Sequence, residues 1–109
     1  MSEEPFVERI FESGDATITA RFLQPALASG GEYQCRYAIL WLDRVQQGYA
    51  CGLDGVQALM LAMKSVHTEL IESDLYKSGA LTYVDQYDLD LPPSWGDGQL
   101  YVPPDRDGS

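Results

Sequence analysis

Residues 53 to 71 read Leu53-Asp54-Gly55-Val56-Gln57-Ala58-Leu59-Met60-Leu61-Ala62-Met63-Lys64-Ser65-Val66-His67-Thr68-Glu69-Leu70-Ile71. Asp54 is an N-cap residue, and Gln57 three positions on completes an Asp-x-x-Gln capping box, in which each side chain satisfies a backbone N–H the helix start leaves open. Leu53 precedes the cap, where a hydrophobic staple residue sits. Val56, Leu59, Met60, Met63, Val66, Leu70 and Ile71 then recur at spacings of three and four, so one apolar stripe predicts a helix over 55–73 packed on another element. Lys64, Thr68, Glu69 and Glu72 fall off the stripe, and the helix must end before Ser78-Gly79.

The element it packs on lies upstream. Residues 6–13 carry a mixed apolar and charged run that ends at Ser13-Gly14-Asp15, a turn composition. From Ala16 to Gln24 the residues alternate, with Ile18, Ala20 and Phe22 on one face and Thr17, Thr19 and Arg21 on the other. Pro25 removes a ladder donor, and Ala28 to Glu32 has the composition of a loop. Glu32 to Leu42 places Tyr33, Cys35, Tyr37, Ile39 and Trp41 on one face, as in a central strand. Asp43 to Gln47 reads as the connection and Gly48 to Gly52 as a short return strand. Its small residues Gly48, Ala50 and Gly52 admit close approach by something bulky, the following helix. Leu81 to Val84 is a last short strand or an extended segment. The expected fold is α+β: an antiparallel sheet of about four strands with one long helix packed on one face.

The 109 residues and 12.1 kDa suffice for one domain, expected over 1–102, followed by a flexible acidic and proline-rich tail at 103–109. Hydrophobic residues at 45% are enough to build a core. Seventeen acidic residues against seven basic ones leave a net charge of -10, which argues against nucleic acid and against an anionic membrane, both of which need clustered Lys and Arg. A basic protein partner is electrostatically compatible. No run reaches the roughly 18 apolar residues of a membrane span, and the start Met-Ser-Glu-Glu-Pro lacks the character of a signal peptide, so a cytoplasmic location is expected. Cys35 and Cys51 are then expected as small buried thiols rather than a disulfide.

No catalytic, cofactor or metal residue is assigned. Asp85, Asp88 and Asp90 cluster, but counted from Asp85 the sixth and twelfth positions are Asp90 and Gly96. A calcium loop needs Gly and Glu there, so a solvated acidic turn is the better reading. His67, the one histidine, lies on or beside the helix stripe and reads as a boundary residue. No Gly-x-Ser-x-Gly elbow or phosphate loop occurs. At the helix start, Asp54 competes for the free amides that would otherwise draw an anion. Met60 and Met63 are explained by core packing. Tyr76, Tyr83, Tyr87, Trp95 and Tyr101 stand among acids, and aromatic anchors ringed by carboxylates suit a binder of a basic protein. The partner surface is accordingly placed at Tyr83, Asp85, Tyr87, Asp88, Asp90 and Trp95.

Gly48 to Leu59, with the upstream Tyr33-Gln34-Cys35-Arg36-Tyr37, resembles a family of small, uncharacterised bacterial proteins known only as a domain of unknown function. In that family a Cys-x-aromatic strand leads into a Gly-x-Asp-x-x-Gln-Ala-Leu turn and helix. The resemblance covers roughly residues 33–72, implies the fold and implies no activity. Size and charge are also similar to those of toxin-immunity proteins, an analogy only. The leading functional expectation is a non-catalytic protein-interaction domain, immunity-like or an adaptor, facing a basic partner. One alternative is a ligand-binding module or small enzyme with a pocket between helix and sheet near Cys35, Cys51 and His67. Another is a homodimer through an open sheet face.

Overall fold

The alternating residues 16–22 form a strand in the computed structural model, which describes residues 5–92. The described chain runs β1 (Val7–Ser13), β2 (Ala16–Phe22), β3 (Ala26–Leu27), β4 (Tyr33–Leu40), β5 (Val45–Gly52), α1 (Gly55–Ile71) and α2 (Asp74–Lys77). β1 and β2 form a hairpin with Ser13 opposite Ala16, and Gly14 takes the φ of +62° that a two-residue hairpin loop demands. β4 is central. It pairs antiparallel with β2 and β3 on one side, Phe22 opposite Tyr37 and Leu27 opposite Tyr33, and with β5 on the other, Leu40 opposite Val45.

The sheet therefore has five strands where about four were expected. The additional one, Ala26–Leu27, resumes the pairing of β2 just past Pro25. Proline removes only its own donor, so its neighbours rejoin the ladder. β5 also starts at Val45 rather than Gly48, because an edge strand tolerates exposed polar residues such as Gln47. Downstream, α1 stops at Ile71, and Ser73 Oγ accepts the Tyr76 N–H at 3.2 Å to cap the separate short α2.

The capping box forms in a shifted version: Asp54 Oδ1 accepts the Gln57 N–H at 2.8 Å as expected, while Gln57 Oε1 reaches past the cap residue to accept the Leu53 N–H at 2.7 Å. The buried face of α1 overlaps the expected stripe at Val66 and Leu70, and Leu59, Met63 and Ile71 pack half-buried beside it. It consists of Ala58, Ala62, Val66 and Leu70, while Val56 is 69% and Met60 37% exposed. The helix lies so close to the sheet that a Cβ on Gly52 would stand 2.6 Å from the Ala58 nitrogen, and only small residues fit that approach. At Gly48, the bulky neighbour is the Tyr37 ring rather than the helix.

The core joins Phe11, Ile18, Phe22, Cys35, Ile39 and Trp41 of the sheet side to Val66 and Leu70 of α1. Leu81, Leu89 and Leu91 complete it, so the segment after α2 covers sheet that one helix leaves bare. Thr82 bridges Glu12 at the outer edge of β1. The opposite sheet face carries Glu8, Ile10, Thr19, Arg21, Arg36, Leu40, Val45 and Tyr49 by register, and no described element covers it.

Candidate functional site

Residues 83–86 form a tight reversal in which Tyr83 N donates to Gln86 O at 2.9 Å and Gln86 N to Tyr83 O at 3.1 Å. Its two central residues, Val84 at φ 50° and Asp85 at φ 63°, both lie in the left-handed region. Asn-Gly is the usual choice for such a turn, and a β-branched residue there meets a real steric penalty. The Glu12 carboxylate offsets it. Oε1 accepts from the Asp85 amide at 3.1 Å and the Thr82 hydroxyl at 3.0 Å, and Oε2 accepts from the Val84 amide at 3.2 Å. The Asp85 amide is the main reason that the Glu12 carboxyl stays below its ordinary range, outweighing the opposing effect of burial. The turn projects Val84, 52% exposed, with exposed Asp85 and Tyr87 beside it.

A second fastening lies behind the turn. The Arg9 guanidinium sits 4.4 Å from the centre of the Tyr83 ring, donates to the Asp90 carbonyl, and stands 3.5 Å from the Asp90 carboxylate. Asp90 is buried, and its amide donates to Asp88 Oδ1 at 2.8 Å. Tyr83 also meets Phe11 edge to face, with ring centres 5.8 Å apart. Of the six expected partner residues, Tyr83 and Asp90 thus hold the segment in place instead of facing outward. Asp88 is half-buried, Asp85 and Tyr87 are exposed, and Trp95 lies outside the described residues.

The three residues of the alternative pocket do not converge. Cys35 is fully buried on the helix side, its Sγ donating to Leu23 O at 3.4 Å, and burial pushes its thiol pKa up. Cys51 stands opposite Gln34 in the ladder and so belongs to the other face, where Glu32 raises its pKa. His67 is half-buried on α1; burial lowers its pKa and the nearby Asp88 carboxylate pulls the other way.

One depression escaped the sequence. A groove of about 570 Å³ on the open sheet face is lined by Arg21, Arg36, Leu40, Val45 and Gln47, with Pro5 at its margin. Arg21 stands opposite Ala38, so Arg21 and Arg36 are diagonal neighbours despite lying fifteen positions apart in the chain. Arg21 Nε contacts Glu8 at 3.1 Å. Among the described residues no group of three His, Cys, Asp or Glu side chains is placed to hold a metal ion, and no helix is long and apolar enough to cross a membrane.

A family described as a domain of unknown function, DUF6968, matches residues 7–93. The chain belongs to this family. The match begins at the first residue of β1 and runs beyond Leu91, so the family's domain includes both Glu12 and the turn it clamps. No curated protein and no solved structure matches the chain.

Proposed function

We propose that this domain is a non-catalytic protein-interaction module, immunity-like or an adaptor, which meets its partner at the Glu12-clamped turn. The observation that carries the reading is the pair of left-handed residues Val84 and Asp85 at an exposed tip. Backbone strain of this kind persists where the surrounding structure over-determines it, and it concentrates at recognition and active sites. A free loop would relax; this one is held by hydrogen bonds from a strand more than seventy residues away in sequence. The tip presents a carboxylate and an apolar side chain with an aromatic ring alongside, in a chain of net charge -10. A basic side chain flanked by apolar surface is the complementary chemistry.

Affinity capture on the tagged full chain from its native host, at low and moderate salt, tests the reading. The expected result is a stoichiometric basic protein that is released as salt rises and is lost with Asp85→Lys but kept with Glu8→Lys, four positions back along β1 from the clamp. Capture that ignores both salt and Asp85→Lys would refute it.

A ligand-binding module is a second reading, favoured by the groove on the open sheet face that Arg21 and Arg36 line. Its ligand would be a small carboxylate. A thermal-shift screen of carboxylates on the wild type and on Arg21→Gln discriminates, since a ligand that uses this groove loses its stabilising effect in the variant.

A further inference from the structure

The outer edge of β5 is an unguarded template for another strand. Trp41 N donates to Arg44 O at 2.8 Å, which fixes the phase of the β4–β5 ladder: even-numbered residues of β5 turn their backbone groups to β4. Val45, Gln47, Tyr49 and Cys51 therefore direct N–H and C=O outward, and among the described residues no strand or bridge takes them. The other edge of the sheet is managed differently: β1 carries Glu8, Arg9 and Glu12 and is bridged by Thr82. β5 has eight residues with neither a charge nor a proline, the devices that normally discourage edge pairing.

We infer that β5 is a homodimer interface, pairing antiparallel with β5 of a second copy about a twofold axis at Tyr49. Opposed residues in such a pair share a face, so odd positions meet odd positions, the ones whose backbone groups are available. Centring on Tyr49 sets Gln47 against Cys51 of the second copy and brings the Val45 side chain towards its Leu53, which lies just past β5 and whose own N–H goes to Gln57. This matches the most exposed apolar side chains of the edge, Val45 at 60%, Tyr49 at 61% and Leu53 at 85%. The same register brings exposed Arg44, which contacts Asp43 at 3.3 Å and lies over the Trp41 ring, towards Asp54 of the second copy, twice by symmetry. Two chains of charge -10 thus meet along an uncharged strip closed at each end by an opposite-charge pair. Stacking the open faces instead would bury Arg21, Arg36 and Glu8. The edge, not the face, is the surface a second copy fits.

Light scattering on the full chain, from micromolar up to roughly 1 mM, reads the association directly. Twice the 12.1 kDa chain mass is expected, with Tyr49→Lys reverting it to monomer at an unchanged circular dichroism spectrum. In a Cys51→Ser background, Tyr49→Cys should then form a disulfide-linked dimer under mild oxidation, because hydrogen-bonded partners stand about 5.5 Å apart at Cα. A monomer at the highest concentration, a dimer that survives Tyr49→Lys, or failure of Tyr49→Cys to cross-link would each overturn the interface.

Discussion

Glu12 holds Asp85 by accepting its backbone N–H at 3.1 Å, across 73 positions of sequence. The bond ties the edge strand of the sheet to the one reversal in the described chain built from two left-handed residues that are not glycine. What is exposed at the tip is thereby made rigid, and rigidity lowers the entropy lost on binding.

Removing the clamp with Glu12→Ala abandons three hydrogen bonds, two of them from backbone amides. A loss of about 2 kcal/mol in urea unfolding is expected. Glu12→Gln should show the pH dependence. The native pKa of Glu12 lies below its ordinary 4.5, so the clamp's contribution is present above that value and lost as pH falls through the lower native one. The wild type should therefore converge on Glu12→Gln in acid and exceed it near neutrality.

Val84→Asn should stabilise the fold and impair recognition. Asn tolerates the left-handed region that valine resists, a gain of about 1 kcal/mol, or roughly 5 °C in Tm for a domain of this size. Calorimetry checks the first part and partner affinity the second.

His67 is the single histidine, so its titration can be followed by NMR without ambiguity. Burial holds its pKa below 6.5, and Asp88→Asn should lower it further by removing the opposing charge. Because folding favours the neutral ring, its effect is a loss of stability as pH drops through 6.5 toward the native value. His67→Gln should flatten that part of the stability profile.

Gly52→Ala forces a methyl to within 2.6 Å of the Ala58 backbone nitrogen. Helix α1 must lift from β5, and a destabilisation of about 2 kcal/mol or more is expected by chemical denaturation, against little effect for Gly30→Ala, which meets nothing.

Local signals made much of this fold legible. The alternation of Ile18, Ala20 and Phe22 places all three in the core, and Asp54 accepts the Gln57 N–H as their spacing announces. Of the apolar stripe, Val66 and Leu70 are buried and Leu59, Met63 and Ile71 pack against the core, while Val56 and Met60 are exposed because the close approach of helix to sheet selects Ala58 and Ala62. The pair Ala26 and Leu27 is too short for periodicity to register. The site was less legible still. Asp85 and Tyr87 stood out by type, but nothing local distinguishes them from Asp90, which Arg9 draws inward from 81 positions away. Glu12 gave no signal at all, since a clamp of this separation exists only once the sheet edge and the returning segment are side by side.

Calorimetric titration of the captured basic partner into the wild type and into Asp85→Lys tests the central claim most directly. A loss of about tenfold or more in affinity, with the variant folded as the wild type is, is the predicted result. Equal affinity for both proteins would contradict the clamped turn as the recognition element.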